Sequence, residues 1–282
     1  MLMGNRIESI FHPSDFSEAS EVAFAHALKL ALAAQAELSM LHATDGSDAE
    51  WQYFPGVREI LERWKLIPEG SPRSAVGKLG IDVRKVLVSS SHPVTACLAY
   101  LEKHPTDLIV LAVRQGEGRM RWLEKSVGKP LARRAGEMTL FIPHGVAGFV
   151  SRTDGSVTLR NILIPVTGKP RAEPAIEAAV RLITSLGLAE GTVTLLHVGA
   201  ESDMPALENP EHTGWNWQRW ARSGDPEQTI LRVAAVLSAD LIVMTTDGPD
   251  GFLDGLRGTT SERVLAKAHC PVACLPVGSL LG

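Results

Sequence analysis

The sequence of 282 residues is defined first by what it lacks. It has no apolar run near the 18 or so residues that cross a membrane, and no signal-peptide pattern precedes its first strand-like segment. Lysine and arginine are scattered and the formal net charge is −4, which argues against nucleic acid as a main partner. The three cysteines are an odd number without metal-ligand spacing, so reduced thiols are expected. These absences predict a globular cytoplasmic protein with no membrane or nucleic-acid partner.

The groups that catalysis requires are also absent. The sequence suggests no nucleophile beside a base, no pair of carboxylates and no metal-ligand cluster. An enzyme is therefore not predicted, beyond a weak ATPase activity at most. His12, His42 and His197 lie in or at the end of apolar strand-like runs, where histidines bonded to the backbone are more frequent than metal ligands.

The chain does contain an internal repeat, in which short segments of the first half return in the second. Four pairs of segments show it: 11–15 with 163–167, 41–43 with 196–198, 107–110 with 240–243, and 140–143 with 273–276. The third pair reads Asp-Leu-Ile-Val in both copies. A repeat this long indicates a duplicated domain, and the chain length suits two domains of about 140 residues. We expect domains at 1–147 and 161–282, joined by a linker at 148–160.

Each half alternates short apolar runs with amphipathic stretches, which is typical of βα units around a mostly parallel sheet. The predicted strands are 9–13, 37–41, 83–88, 108–112 and 139–142 in the first half, and 161–166, 192–197, 217–222, 241–245 and 272–276 in the second. Because these runs are apolar on both faces, helices should cover both sides of each sheet. The fold class is therefore α/β, with two doubly wound, open, parallel five-stranded sheets.

The second half is shorter between its second strand and its Asp-Leu-Ile-Val segment. The missing piece corresponds to a predicted helix at 57–64, and a polar stretch at 199–214 takes its place. Trp215, Trp217 and Trp220 follow that stretch. They form either a stacking platform for a ligand or partner, or a cover for sheet surface that the absent helix would have buried. Their position favours the cover, so Trp217 and Trp220 should be largely buried.

A candidate ligand site follows the fourth strand of the second half. Ligands of open parallel sheets bind beyond the carboxyl ends of the strands, and glycines there allow close backbone approach. The candidate residues are Thr245, Gly248, Gly258, Thr259 and Thr260. A helix that begins at Thr259 or Thr260 would favour an anion such as phosphate. Thr259 can equally act as an N-cap, with Glu262 completing a capping box, and the two roles are compatible.

Together these motifs resemble the universal stress protein family, in two tandem copies. The resemblance rests on a Pro-x-Asp after the first strand, Leu-His-Val, Gly-Asp-Pro, Asp-Leu-Ile-Val, a spaced glycine motif, Ser-Glu-Arg-Val and Cys-Pro-Val. It implies Rossmann-like sheets of the adenine nucleotide alpha hydrolase type, ordered 3-2-1-4-5. It also implies a pseudo-dimer in which the last strands of the two halves pair, and a homodimer of the two-domain chain. In some members ATP binds between the first-strand Asp and the glycine loop.

The two halves depart from the family pattern in opposite ways. The second keeps the loop spacing but has Thr167 in place of the aspartate, and Val198 stands where a backbone group would help to recognise the base. The first keeps Asp15 but has Gln115 and Lys125 where the loop glycines would be. Asp15 either contacts a ligand or caps the following helix.

The predicted function is therefore a non-enzymatic, stress-response regulatory protein with at most one site for ATP, another nucleotide or an anion, in the second half. The alternative is a module that has lost nucleotide binding and acts through protein–protein contacts or another ligand.

Overall fold

The computed structural model describes residues 7–44, 52–113, 138–207, 210, 214–246 and 260–276. The first half contains β1 Ser9–Pro13, α1 Glu18–Ala34, β2 Glu37–Thr44, α2 Val57–Arg63, α3 Ser74–Gly77, β3 Asp82–Ser89, α4 Pro93–Lys103, β4 Leu108–Val113 and β5 Met138–Pro143. The second contains β6 Asn161–Val166, α5 Glu173–Ser185, β7 Gly191–Val198, β8 Trp215–Arg222, α6 Pro226–Val236, β9 Leu241–Thr246, α7 Thr260–Leu265 and β10 Val272–Pro276. All ten predicted strands are present, and their ends differ from the predictions by at most a few residues.

The strands form one continuous sheet of ten, in the order β3-β2-β1-β4-β5-β10-β9-β6-β7-β8. Each half is parallel and has the expected order of its five strands. The halves join where β5 and β10 pair antiparallel, with Leu140 opposite Ala273. The predicted pseudo-dimer is thus formed by fusion of the two sheets, because each apolar last strand would otherwise leave its backbone groups unpaired.

Apolar side chains are buried on both faces of this sheet. One cluster extends under α1 and α5 and includes Phe24 and Ile164. The other lies under α4, α6 and α7 and includes Phe141 and Ile230. Every residue of β5, β9 and β10 is buried. The core therefore runs without interruption across the boundary between the halves.

The predicted linker contains a small hairpin. Val150 and Val157 form an antiparallel bridge within it, and Phe149 is buried. The Nε2 atom of His26, on α1, accepts the backbone N–H groups of Phe149 at 3.0 Å and of Val150 at 3.2 Å. The same ring donates from Nδ1 to the Val22 carbonyl oxygen. The segment that connects the halves is thereby fastened to the first half.

Side chains complete this attachment. The indole N–H of Trp64 donates to the carbonyl oxygen of Arg152 at 3.1 Å. The Arg152 guanidinium lies 3.4 Å from a carboxylate oxygen of Glu18 and 3.2 Å from one of Glu21. These ion pairs are exposed, so the buried contacts to His26 and Trp64 dominate the stability of the attachment.

The predicted loss of a helix in the second half agrees with the described part of the chain, where only a 3₁₀ turn at Glu201–Asp203 stands between β7 and β8. Trp215 is buried and donates to the Leu188 carbonyl oxygen. Trp217 packs on the same face of the sheet but is half-buried, and Trp220 lies half-buried on the opposite face, against Arg222. The expectation that Trp217 and Trp220 are largely buried is met only in part, since both rings pack against the core but remain partly exposed on β8, the edge strand of the described sheet. Trp215 is the ring that replaces the absent helix most fully.

Candidate functional site

The geometry of the sheet opens a crevice in each half at the same place. β1 pairs with β4 only at residues 10 and 11, and β6 pairs with β9 only at residues 162 and 163. These neighbouring strands separate toward their carboxyl ends, where the strand order reverses. This is the position at which open α/β sheets bind ligands.

In the first half Asp15 is engaged at the start of α1. One of its carboxylate oxygens accepts the backbone N–H of Ser17 at 3.0 Å and the Ser17 hydroxyl at 2.5 Å. Ser17 is the N-cap of α1 and accepts the backbone N–H of Ser20. Asp15 thus supports the helix cap, which is one of its two predicted roles.

Aromatic rings occupy the end of the first-half strands. Phe16 has a backbone φ of 57° and stacks on the imidazole of His42, with ring centroids 3.9 Å apart. Phe54 meets Phe16 edge-on, with centroids 5.1 Å apart. A hydrogen bond fixes the imidazole of His42, whose Nδ1 donates to the Ser14 carbonyl oxygen at 2.7 Å. The carboxyl ends of β1 and β2 are therefore covered by the chain's own side chains.

The second half keeps the histidine contact but not the covering ring. His197 donates from Nδ1 to the Val166 carbonyl oxygen at 3.1 Å, which repeats the bond between His42 and Ser14. The counterpart of Phe16 is Gly168, where an added Cβ would meet no atom of the described residues within 4 Å. Thr167 beside it is exposed and Val198 is half-buried. Among the described residues, the second half therefore has no ring in the place that Phe16 fills in the first half.

Two threonines end β9, the strand that borders this crevice, with their side chains on opposite faces of the sheet. Thr245 and Thr246, at the end of β9, are 8% and 2% exposed. The buried Thr246 hydroxyl has no hydrogen-bond partner within the described ranges, and neither does Nε2 of His197. Thr260, half-buried, begins α7 and accepts a hydrogen bond from Arg263 at 3.3 Å.

Four of the predicted site residues lie at or next to the ends of second-half elements: Thr167 follows β6, Val198 ends β7, Thr245 is the penultimate residue of β9, and Thr260 begins α7. Asp15 lies in the other half, at the start of α1. Gly248, Gly258 and Thr259 lie outside the described residues, as do Gln115 and Lys125.

Two residues of the site were missed at the sequence level. Gly168 was identifiable, because the pairing of the halves places it opposite Phe16. Thr246 had no signal beyond its position next to Thr245, since an unsatisfied hydroxyl is visible only in three dimensions.

Burial keeps His12 and the three cysteines neutral. His12 donates to the Val110 carbonyl oxygen at 2.9 Å, and burial lowers its pKa to about 4. All three strand histidines thus bond to the backbone, as predicted. Burial raises the pKa of each cysteine thiol to about 12, which makes the thiols poor nucleophiles. Within the described part of the chain, no cluster of three potential metal ligands occurs, and no described helix is long and apolar enough to cross a membrane.

Sequence comparison places these features in a known family. The family model described as the universal stress protein family matches residues 7–143 and 218–276. The universal stress protein MJ0531 of Methanocaldococcus jannaschii is 47% identical over 49 residues, which cover 17% of this chain and 29% of that protein. The chain therefore aligns with less than a third of the length of this curated relative.

Solved structures match over nearly the whole chain. A universal stress protein from Archaeoglobus fulgidus superposes with a TM-score of 0.58 at 18% identity, covering 95% of this chain and 98% of the other. A protein of unknown function, PA1789 from Pseudomonas aeruginosa, gives 0.57 at 14% identity, with 96% and 93% covered. The cytoplasmic domain of a prokaryotic cation chloride cotransporter gives 0.54 at 13% identity, with 97% of both chains covered. At these identities the likeness concerns the fold alone.

Proposed function

Since the chain belongs to the universal stress protein family, we propose that it is a stress-response regulatory protein that binds one adenine nucleotide, or a related phosphate-bearing ligand, in its second half. The proposed site is the crevice between the carboxyl ends of β6 and β9. The proposal includes no catalytic step.

The observation that carries this proposal is the exchange of Phe16 for Gly168. In the first half a phenyl ring stacks on His42 and fills the crevice. In the second half the same position is open, although the histidine and its bond to the backbone are retained. A planar base can therefore enter the second crevice and is excluded from the first.

Polar groups around the second crevice support the proposal. The Thr246 hydroxyl is buried and lacks a partner among the described residues, and such a group gains most from a ligand that bonds to it. Thr260 begins a helix on the same side. The sequence of the preceding loop retains two glycines of the family motif, Gly248 and Gly258.

Base selectivity in this site should be weak. Thr167 is exposed and carries no charge, whereas family members that bind ATP have an aspartate at this place. One hydrogen bond to a charged group contributes about 1.5–3 kcal/mol, or about tenfold to a hundredfold in affinity. ATP and GTP should therefore bind with similar affinities.

Calorimetric titration with ATP, ADP and AMP tests the proposal. Wild-type protein should bind one nucleotide per chain, and Gly168→Phe, which copies Phe16 into the second half, should weaken binding by more than about tenfold. Thr246→Val removes only the hydroxyl and should weaken binding less. Gly77→Phe, at another glycine with open space around it, is the matched control and should bind as wild type.

Two results would contradict the proposal. If ATP binding survives Gly168→Phe, the site lies elsewhere. If no nucleotide binds to the wild-type protein, the alternative holds, in which the module acts through protein contacts or another ligand. Sedimentation of the same samples tests the further proposal that the two-domain chain forms a homodimer.

A further inference from the structure

The first half contains a large cavity that is separate from the crevice of the second half. Its volume is about 1240 Å³ and it opens to solvent. It lies on the sheet face beside α1, where α2 and α3 form the cover. These helices are short: α2 buries Val57 and Leu61, and α3 buries no residue. The cover is therefore incomplete, and no residue of β3 is fully buried.

The cavity wall combines apolar residues with polar and charged ones. Ile60, Val76 and Val83 line it and are only partly buried, so they leave apolar surface exposed to the cavity. Ligand cavities in proteins commonly measure about 300–1,000 Å³, and this cavity is somewhat larger. This volume suits an organic molecule rather than an ion or a few waters.

The charged residues of the wall are unlike those of the chain as a whole. Cations outnumber carboxylates in the wall, whereas the chain carries a formal charge of −4. The cations are Arg58, Arg63, Arg73, Lys85 and Arg152, and the carboxylates are Glu21, Glu59 and Asp82.

Two of the arginines already have partners. Arg58 lies 3.1 Å from Glu59, and Arg152 lies 3.2 Å from Glu21. These pairs account for two of the three carboxylates of the wall.

The other three cations form no ion pair with the described residues. Within the described ranges no carboxylate lies within ion-pair distance of Arg63, Arg73 or Lys85. Lys85 is half-buried, with Nζ 5.8 Å from the centroid of Phe54. Burial lowers its pKa and the charge of Arg73 adds to this effect, while Glu59 opposes it. An ammonium group in this position would gain from an anion that enters the cavity.

We propose that this cavity binds an amphipathic anion, a molecule with an apolar body and one acidic head group. The body lies along Ile60, Val76 and Val83, and the head group meets Lys85 and Arg73. Two classes of molecule have this combination of an apolar body and an acidic head group: fatty acids and aromatic carboxylic acids. This site does not depend on the proposed nucleotide site, since the two lie in different halves.

The test uses calorimetry with dodecanoate below its micelle concentration, and with 2-naphthoate as the aromatic arm. Lys85→Gln should weaken dodecanoate binding about tenfold or more, because it removes a charge-assisted hydrogen bond. Lys85→Arg should retain binding within a few-fold. Lys78→Gln, an exposed lysine that does not line the cavity, is the matched control and should have no effect.

A second variant tests the apolar part. Val76→Trp fills part of the cavity and should weaken the binding of both dodecanoate and 2-naphthoate, whichever of the two binds more tightly. Dodecanol and dodecyltrimethylammonium should bind more weakly than dodecanoate, and Gly168→Phe should leave dodecanoate binding unchanged. The proposal is overturned if neither acid binds, if binding survives both Lys85→Gln and Val76→Trp, or if dodecanol binds as well as dodecanoate.

Discussion

The two halves have the same arrangement of strands and differ in the side chains at the carboxyl ends of those strands. In both, the histidine at the end of the second strand donates to a carbonyl oxygen at the end of the first, His42 to Ser14 and His197 to Val166. Above this common contact the first half places Phe16 and the second leaves Gly168 open. Duplication thus preserved the bonds that hold the strands and allowed the groups that face a ligand to diverge.

The halves differ again on the sheet face beside α1 and α5. The first half covers its outer strands with α2 and α3 and retains a cavity beneath them. The second has Trp215 and Trp217 on the corresponding face. The first half therefore has a cavity and a filled crevice, while the second has a covered face and no ring in its crevice. The two proposed ligand sites accordingly differ in chemistry.

The largest effect is expected at the joint between the halves. Ala273 is fully buried opposite Leu140, so Ala273→Asp would bury an unpaired carboxylate. We expect a loss of about 4–5 kcal/mol in the free energy of unfolding, measured in urea. Ala221→Asp, on the edge strand β8, is the control and should cost much less. Two separate unfolding transitions in Ala273→Asp would show that each half is stable alone, whereas an unchanged midpoint would argue against the joint.

A smaller loss of stability is expected in the hairpin of the linker. Two glycine substitutions there separate the cost of a steric overlap from the cost of an unfavourable backbone conformation. Gly145 and Gly148 both have positive φ, but only at Gly148 would a Cβ overlap the ring of His26. Gly145→Ala should cost about 1–2 kcal/mol from its conformation alone, and Gly148→Ala a further 1–3 kcal/mol. Thermal unfolding of the two variants gives the difference directly. Equal destabilisation would mean that the hairpin does not rely on His26.

The halves should also differ in acid sensitivity. Burial lowers the pKa of His12 and of His26 from 6.5 to about 4, whereas the counterpart of His12 is the apolar Ile164. The unfolded chain takes up protons near pH 6.5 and the folded chain only near pH 4, so this stability is complete above pH 6.5 and is lost as the pH falls toward 4. Each histidine should lower stability by roughly 2 kcal/mol between pH 7 and 5.

His12→Ile, which copies the second half into the first, should remove about half of that slope in urea unfolding at several pH values. A slope that the variant leaves unchanged would assign the acid sensitivity to other groups.

The smallest effect concerns the closed crevice itself. Phe16→Gly removes the ring from His42 but also relieves a positive φ, so stability should change by only about 1–2 kcal/mol. Calorimetry should still find one ATP per chain, because Gln115 and Lys125 replace loop glycines in the first half. A second bound ATP would show that Phe16 alone separates the halves.

The strands were predictable because their signal is local. Ser9–Pro13, Asn161–Val166 and Val272–Pro276 were predicted with the bounds that the structure has. Each is a contiguous apolar run between polar or glycine-containing segments. Such a run indicates a strand whichever residues pack against it in the fold.

The hairpin in the linker was not predictable in the same way. Phe149, Val150 and Leu159 are isolated apolar residues among glycine, serine and threonine, which is typical of a loop. They are buried because His26 and Trp64, far away in sequence, provide hydrogen bonds and a surface. The extent to which Trp217 is buried was not predictable for a related reason, since the exposure of an edge strand depends on what packs around it.

The amino-acid sequence by itself determined the duplication, the positions of the ten strands and the identity of the residues at their carboxyl ends, because these follow from patterns within short segments. Only the tertiary structure decided the antiparallel register in which the two sheets join, the docking of the connecting segment on α1, and the stacking of Phe16 on His42 at a place where the second half has Gly168. Each of those outcomes depends on contacts between residues distant in sequence, such as Leu140 with Ala273 and His26 with Phe149. Their energies arise from burial and hydrogen bonding that no local pattern contains.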